Sequence, residues 1–451
     1  MLLLSLEEFG YRGSLAKILK EKGISVYDRI EVEKNGYTFR GILMPKPELS
    51  HSQTLIIKLD NGYNVGIKID AHSKIRLISK GKPAVPSPPK ATSRPREDLP
   101  LVALIGTGGT IASRVDYKTG AVYPAFTTEE IYYLVPELSN IAKLDMHLLF
   151  NIFSEDMTPQ NWTLIANTVA KFIEKGADGI VIAHGTDTMG YTAAALSFAL
   201  QDLPVPVVLV GAQRSSDRPS SDAALNLINA VYTAARAPFA EVVVVMHGST
   251  SDEYCLAHRG TKVRKCHTSR RDAFRSINAR PLAKIYSCGR IELLSDDFRP
   301  RDKHRRLRLL AKFDEKVALI KTFPGMKSDI IDCLVELGYH GIVLEGTGLG
   351  HAPHTLLKSL KRAIDEGIPV VMTSQCIWGR INMNVYRRGV ELLNIGVIPG
   401  EDMLPETAFV KLAWVLAQTR DLDKVRELML TNITGEINPR TEPYSYPPME
   451  V

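Results

Sequence analysis

The hydrophobic pattern changes character along the chain. From Leu101 onward, short unbroken apolar runs alternate with longer stretches of helical period. The runs at 101–105, 179–183, 205–211 and 241–246 read as strands covered on both faces, as in the interior of a parallel sheet. Between them, 161–174, 192–200 and 223–235 read as helices. Such alternation predicts βαβ units, hence an α/β fold with a parallel sheet flanked by helices. A second α/β unit follows from about Val317 to Leu430. Its expected strands lie at 342–345 and 369–373, and its helices at 353–366 and 405–419.

Before residue 100 the pattern differs. Residues 14–23 read as a short helix that opens on a capping residue, Ser14, and stops at Gly23. Strand-like runs follow at 29–33, 37–44, 54–59, 64–69 and 74–78, with Asn35-Gly36 and Asn61-Gly62 as hairpin turns. Short strands packed this closely predict a small β-barrel. Pro83, Pro86, Pro88, Pro89, Pro95 and Pro100 then exclude helix or central strand and predict an extended linker. The expected organisation is a barrel docking domain over 1–80, a Pro-rich linker over 81–99 and two α/β domains over 100–295 and 317–435. A basic connector over 296–316 separates the last two and reads as solvated. The remainder, 436–451, is a polar tail expected to drape over a surface.

Composition narrows the class without naming a chemistry. The 451 residues are 45% hydrophobic and 24% charged, as in ordinary globular proteins. A net charge of +6 permits an anionic partner such as RNA but is too small to demand one. Five widely spaced cysteines, without a Cys-x-x-Cys, argue against a disulfide framework and for a reducing cytoplasm. No His-Glu-x-x-His is present, and His351 and His354 lack a third ligand, so no metal is expected on this chain. The N-terminal Met1-Leu-Leu-Leu-Ser-Leu-Glu-Glu is too short for a signal peptide, and no apolar run approaches the ~20 residues of a membrane helix.

The candidate chemistry sits at strand ends. The first strand empties into Gly106-Thr107-Gly108-Gly109-Thr110, where glycines allow a close backbone approach and exposed N–H groups. Carboxyl ends of parallel strands are where open α/β sheets bind ligands. Position 111 is Ile111, so no dinucleotide fingerprint exists, and no lysine follows the glycines as a P-loop requires. A tight turn without chemistry fits these letters as well as a site does. After the next buried strand comes His184-Gly185-Thr186-Asp187-Thr188, again a glycine turn with hydroxyls, now beside a carboxylate. By itself Asp187 reads rather as a helix cap, and Lys265 as one more surface amine of the basic run 262–265.

Together these segments resemble the bacterial-type L-asparaginase family, whose two signatures match Thr107-Gly-Gly-Thr110-Ile-Ala and His184-Gly-Thr-Asp-Thr188 in order and separation. The likeness spans about residues 100 to 430. It implies a two-domain asparaginase-like fold and a threonine-based amide hydrolysis. Thr110 matches the threonine that attacks the carboxamide, while Thr186, Asp187 and Lys265 match a rigid hydroxyl–carboxylate–amine set. Asn151-Ile-Phe-Ser154-Glu155-Asp-Met157 resembles the loop gripping the substrate carboxylate, with Gly185 and Ala212, in Val210-Gly-Ala-Gln-Arg214, at the pocket edge. Tyr117 matches the tyrosine of the mobile loop. The reactivity fits: a threonine hydroxyl is a poor nucleophile and needs a neighbouring base, a lysine can serve as that base, and N–H groups around the glycines can hold the oxyanion. Glu155 departs from the family's usual glutamine and cannot donate when ionised, which leaves glutamine-versus-asparagine preference open.

About a hundred residues precede the first turn, which the free-standing members lack. The barrel, the linker, Asp116-Tyr-Lys-Thr-Gly-Ala-Val122 and 375–386 are similar to the D subunits of archaeal glutamyl-tRNA(Gln) amidotransferases. That resemblance implies ammonia release from glutamine and a homodimer flanked by two E subunits. The E subunit would bind Glu-tRNA(Gln) and activate the glutamyl ester with ATP and Mg. A stand-alone asparaginase with an appended barrel, and a non-catalytic RNA- or protein-binding scaffold, are the alternatives.

Overall fold

The N-terminal strands alternate apolar and polar positions, so they must cover one face to fold. In the computed structural model, which describes residues 6–7, 9–46, 53–59, 64–81, 98–108, 113–115, 122–124, 135–214, 221–443 and 446, they form one antiparallel sheet. Strands β1 (Arg29–Lys34), β2 (Tyr37–Leu43), β3 (Thr54–Leu59), β4 (Asn64–Lys68) and β5 (Lys74–Ser79) are ordered β4-β3-β2-β1-β5. Ile30, Val32, Leu43, Leu55, Ile57 and Ile75 pack inward with Leu15 and Leu19 of helix α1 (Gly13–Glu21). On β1's other face Glu31 meets Arg40 and Arg76 across neighbouring strands. Asn35 and Gly36 both have positive φ, 49° and 80°, the backbone that a two-residue hairpin demands. Strands β4 and β5 are not bonded to each other among the described residues, so the barrel's rim is open there. Ser14 does not cap α1: the helix begins one residue earlier and is entered through Arg12 with no side-chain cap. The Asn61-Gly62 turn and most of the Pro-rich linker lie outside the described residues.

The next unit is built on an eight-stranded sheet. It comprises β6 (Leu101–Gly106), β9 (Lys143–Leu148), β10 (Gly179–Ala183), β12 (Val207–Val210), β13 (Val242–His247), β14 (Cys255–Arg259), β17 (Ala283–Ile285) and β18 (Ile291–Leu293). Two short pairs stand apart from it. One is β7 (Ser113–Val115) with β8 (Val122–Pro124); the other is β11 (Leu200–Gln201) with β19 (Arg308–Leu309). The sheet order is β18-β17-β14-β13-β12-β10-β6-β9, parallel from β13 to β9 and antiparallel from β13 outward to β18. The four strands expected from the apolar runs, β6, β10, β12 and β13, are parallel as predicted, and the sheet is extended by antiparallel strands because the chain after β13 returns through a hairpin rather than a helix.

Successive side chains of a strand point to opposite faces. Val102 and Leu104 accordingly join one core with Leu227, Ala230 and Ala234 of α4 (Ala223–Arg236). Ala103 and Ile105 join the other, with Ile165 and Val169 of α2 (Pro159–Glu174) and Ala193 and Leu196 of α3 (Met189–Ala199).

A four-stranded parallel sheet follows: β20 (Val317–Lys321), β21 (Gly341–Gly346), β22 (Val370–Ser374) and β23 (Ile398–Pro399). Around it lie α5 (Asp329–Glu336), α6 (Leu357–Asp365), α7 (Arg387–Asn394), α8 (Pro405–Leu416) and α9 (Leu422–Leu430). Helix α8 is apolar nearly all round, the mark of a helix buried on every side. Its Ala408, Leu412 and Val415 share a core with Ala194, Ala195 and Phe198 of α3, which joins the two α/β units.

The folded chain adds detail to two expectations about charge. In the basic segment, Arg301 and Arg305 donate to backbone carbonyls of the sheet unit and Lys303 meets Asp178, while the side chains of Lys303 and Arg308 stay open to solvent. Beyond Thr434 the chain does not simply drape over a surface. Glu436 is fully buried against Lys411 at 2.6 Å, and both side chains are 0% exposed.

Candidate active site

Strands β6, β10 and β12 run parallel and adjacent, so their carboxyl ends open side by side. At the end of β6, Thr107 donates from both N and Oγ1 to the Ala183 carbonyl, at 3.0 and 2.9 Å, tying its turn to β10. Gly108 adopts φ 103°, and a Cβ there would run into the Ile152 backbone, so only glycine lets the two loops meet. Thr110 and Tyr117 lie outside the described residues.

The turn after β10 carries the candidate cluster. Thr186 is 4% exposed. Lys265 comes from β15 (Val263–Lys265), which pairs with β16 (Phe274–Ser276) so that Lys265 faces Phe274 in register. That hairpin lies against the start of α3, where a Cβ on Gly190 would stand 3.2 Å from the Val263 carbonyl. Lys265 Nζ donates to Thr186 Oγ1 at 2.9 Å and to Asp187 Oδ1 at 2.7 Å. The lysine side chain is 14% exposed and that of Asp187 68% exposed, so the ion pair opens toward solvent on the carboxylate side. Asp187 is not a helix cap: α3 is entered through Thr188 with no side-chain cap bond. Nor is Lys265 a free surface amine.

Of the other expected residues, the structure brings Ser154, Gly185 and Ala212 to the same place. Ser154 is buried, and Thr188 Oγ1 donates to its carbonyl at 2.6 Å. A Cβ on Gly185 would lie 2.6 Å from Ser154 Cβ and 2.9 Å from its Oγ, so this contact requires glycine. Gly211, beside buried Ala212, leaves only 2.8 Å between such a Cβ and Thr186 Cγ2. Glu155 sits on the same turn as Ser154 and is exposed.

Several residues that shape the site were not singled out from sequence. Asp222, fully buried, accepts from the backbone N–H groups of Gln213 and Arg214, at 3.0 Å each, and from Asn226 Nδ2 at 2.9 Å. Asn226 also donates to the Gly211 carbonyl at 2.9 Å, so the turn after β12 hangs on these two side chains. Their spacing of four on one helix face, just after a polar loop, was the available signal. Three residues before Lys265, Lys262 is fully buried and donates to Asp402 of the C-terminal unit at 2.8 Å. Letters alone do not separate this structural lysine from its neighbour. No group of three or more acidic, His or Cys residues able to hold a metal occurs among the described residues.

A hydroxyl, an amine and a carboxylate in series, beside backbone N–H groups, suit amide or ester hydrolysis. The bond between Nζ and Oγ1 can run from ammonium to hydroxyl or, once the amine has lost a proton, from hydroxyl to amine.

Comparison with known proteins bears on this arrangement. Residues 101–298 match the family model described as "Asparaginase, N-terminal", and 316–429 that described as "Glutaminase/Asparaginase C-terminal domain". Residues 24–78 match "GatD N-terminal domain". Among solved structures, the thermostable L-asparaginase from Thermococcus kodakarensis superposes with a TM-score of 0.68 at 33% identity, covering 75% of this chain and 100% of that one. L-asparaginase I from Vibrio cholerae gives 0.66 at 32%, covering 75% and 99%. Relatives matched over nearly the whole length carry the additional N-terminal unit. The D subunit of glutamyl-tRNA(Gln) amidotransferase from Pyrococcus furiosus is 59% identical over 434 residues, 95% of this chain and 99% of the relative. Its counterpart from Thermofilum pendens is 48% identical over 446 residues, 97% and 98%. With an asparaginase-type pair of domains behind that unit, and identity sustained from end to end, the chain belongs to the family of glutamyl-tRNA(Gln) amidotransferase D subunits.

Proposed function

We propose that this chain is the ammonia-releasing subunit of a tRNA-dependent amidotransferase that converts Glu-tRNA(Gln) to Gln-tRNA(Gln). The observation that carries the chemical half is the amine of Lys265 held at once on Thr186 Oγ1 and Asp187 Oδ1. In this reading a threonine hydroxyl attacks the carboxamide carbon of glutamine and its proton passes toward the Lys265 amine. Backbone N–H groups hold the oxyanion, and collapse expels ammonia as it gains a proton. Water then cleaves the acyl-threonine, returning the hydroxyl and releasing glutamate. Thr110 is assigned the first attack, and Thr186 with Asp187 and Lys265 the proton handling. Ser154, Glu155, Gly185, Ala212 and Tyr117 are assigned to substrate binding.

The N-terminal unit supports the synthetic half, because residues 24–78 match the GatD N-terminal domain while the asparaginase-type matches begin only at residue 101. We assign it to docking within a cytoplasmic assembly of two such chains with two E subunits. ATP and Mg would act on the E subunit, where Glu-tRNA(Gln) is bound and activated. The test is ammonia release from glutamine and from asparagine by the purified chain, then with its partner subunit and Glu-tRNA(Gln). Release stimulated by the charged tRNA supports this reading. Full activity alone on asparagine supports a stand-alone asparaginase, and no release under any condition leaves only a scaffold.

A further inference from the structure

Two residues before Thr186 lies a buried imidazole for which the hydrolysis scheme has no use. His184 is 0% exposed at the carboxyl end of β10. Its Nδ1 is 2.7 Å from the Gly185 carbonyl oxygen, and its Nε2 is 2.9 Å from Thr192 Oγ1 on α3. Thr192, also 0% exposed, is 3.2 Å from the indole Nε1 of Trp162 on α2.

The proton positions follow from what each group can do. A carbonyl oxygen only accepts, so Nδ1 must carry the hydrogen. Nε2 of the neutral ring then accepts from the Thr192 hydroxyl, whose oxygen accepts in turn from the indole N–H. Every donor in the series has one acceptor, and the direction cannot reverse, because the indole nitrogen cannot accept. Burial keeps the ring neutral, pushing it down to about 4 despite its bond to Gly185.

The consequence reaches Thr186 through a single peptide group. A trans peptide is planar, with its C=O and N–H on opposite sides. Drawing the Gly185 carbonyl toward the buried ring turns the Thr186 N–H away from it. That N–H has no hydrogen-bond acceptor among the described residues.

We propose that His184 is a positioning residue for the amide hydrolysis, its Nδ1–H held on the Gly185 carbonyl and its Nε2 anchored by the Trp162–Thr192 relay, so that the Gly185–Thr186 peptide presents the Thr186 N–H to the substrate oxygen. The role rests on the hydrolase reading above, and it differs from that of a merely satisfied core histidine in what it controls. Core packing would set stability, whereas peptide orientation sets how well the transition state is held.

The experiment is steady-state ammonia release by the full chain, with its partner present, for wild type, Thr192→Val, Thr192→Ser, His184→Asn and His184→Gln. Alongside it, nitrogen NMR of histidine-labelled protein reads the His184 tautomer. Removing an oxyanion donor outright lowers kcat by roughly 100- to 1000-fold. A misdirected donor loses part of that, so Thr192→Val is expected to lower kcat about 10- to 100-fold with KM within about threefold. Thr192→Ser, which keeps the hydroxyl, should restore kcat to within about threefold. Asn can set an N–H where Nδ1 stands and Gln cannot, so His184→Asn should retain more kcat than His184→Gln. This pair decides the matter if Thr192→Val does not fold. Unchanged kcat in Thr192→Val with the Nε2–H tautomer present, or a loss of kcat that only follows the folded fraction, overturns the positioning role. So does His184→Gln matching His184→Asn. A wild-type protein that releases no ammonia would instead overturn the hydrolase reading itself.

Discussion

Thr186→Val is the sharpest test of the Thr186–Asp187–Lys265 unit, because the structure lets its effects on stability and activity be separated. Thr186 is 4% exposed, and the hydrogen-bond partner of its hydroxyl is Lys265 Nζ at 2.9 Å. Valine keeps the branched shape and the Cγ2 packed beside Gly211 while deleting only the oxygen. The amine retains Asp187 Oδ1 at 2.7 Å, and that side opens to solvent, so no buried charge is stranded. Losing one hydrogen bond to a charged group is worth roughly 1.5–3 kcal/mol, part of it offset by the added apolar methyl. A change near 1 kcal/mol displaces Tm by only ~2–4 °C in domains of 150–250 residues. Activity should behave otherwise. A positioned acid–base group contributes about 100- to 10,000-fold, so kcat should fall by about 1000-fold, roughly 4 kcal/mol in the barrier at 1.36 kcal/mol per tenfold. Groups acting as one unit are not additive, so Thr186→Val combined with Lys265→Met should be little worse than either alone. The assay pairs ammonia release at saturating glutamine with thermal unfolding of the same preparations, and Thr186→Ser serves as the hydroxyl-retaining control. If Thr186→Val keeps kcat within tenfold of wild type, or the double variant multiplies the two losses, the three residues do not act together.

Three further outcomes follow from the same structure. Gly185→Ala would place a methyl 2.6 Å from Ser154 Cβ; because Ser154 is buried, kcat/KM should drop at least about tenfold while unfolding stays cooperative, and unaltered kinetics would show that the turn can yield. Lys411→Met strands buried Glu436, and breaking a buried pair this way costs about 3–5 kcal/mol; denaturant unfolding should show that loss, with part of it recovered by adding Glu436→Leu. Burial lowers His184 to about 4 and His258 to about 3, so between those values and 6.5 the unfolded chain binds more protons than the folded one. Stability is therefore complete above pH 6.5 and falls as pH drops below it, by roughly 4 kcal/mol for the two rings together at pH 5; equal unfolding free energies at pH 7 and pH 5 would contradict their burial as neutral rings.

Much of the architecture is legible along the chain because its causes are local. Uninterrupted apolar runs such as 179–183 can only be strands covered on both faces, and the helical period of 161–174 matches α2 closely. Asn35-Gly36 tolerates the positive φ that its hairpin requires. Where the letters mislead, distant partners decide. The parallel strands read from the apolar runs are joined by antiparallel ones because the chain after β13 turns back on itself, a return those runs do not announce. Ser14 lies within α1 instead of capping it. The burial of Glu436 is hidden in the sequence because a glutamate is buried only where a cation already waits.

By itself the sequence determined which segments are strands and helices, where glycines open the chain at the ends of β6 and β10, and that hydroxyls and a carboxylate stand in those openings. These follow from side-chain periodicity and backbone freedom, which act over a few residues. Only the tertiary structure decided that β6, β10 and β12 lie side by side with their ends in common. It also brought an amine 79 positions from Thr186 to within 2.9 Å of its hydroxyl, and it made Lys262 a buried strut while setting Lys265 between Thr186 and Asp187. A lysine's letter states its charge, but its role is set by which oxygens the packed chain places around it, and that is a property of the whole fold.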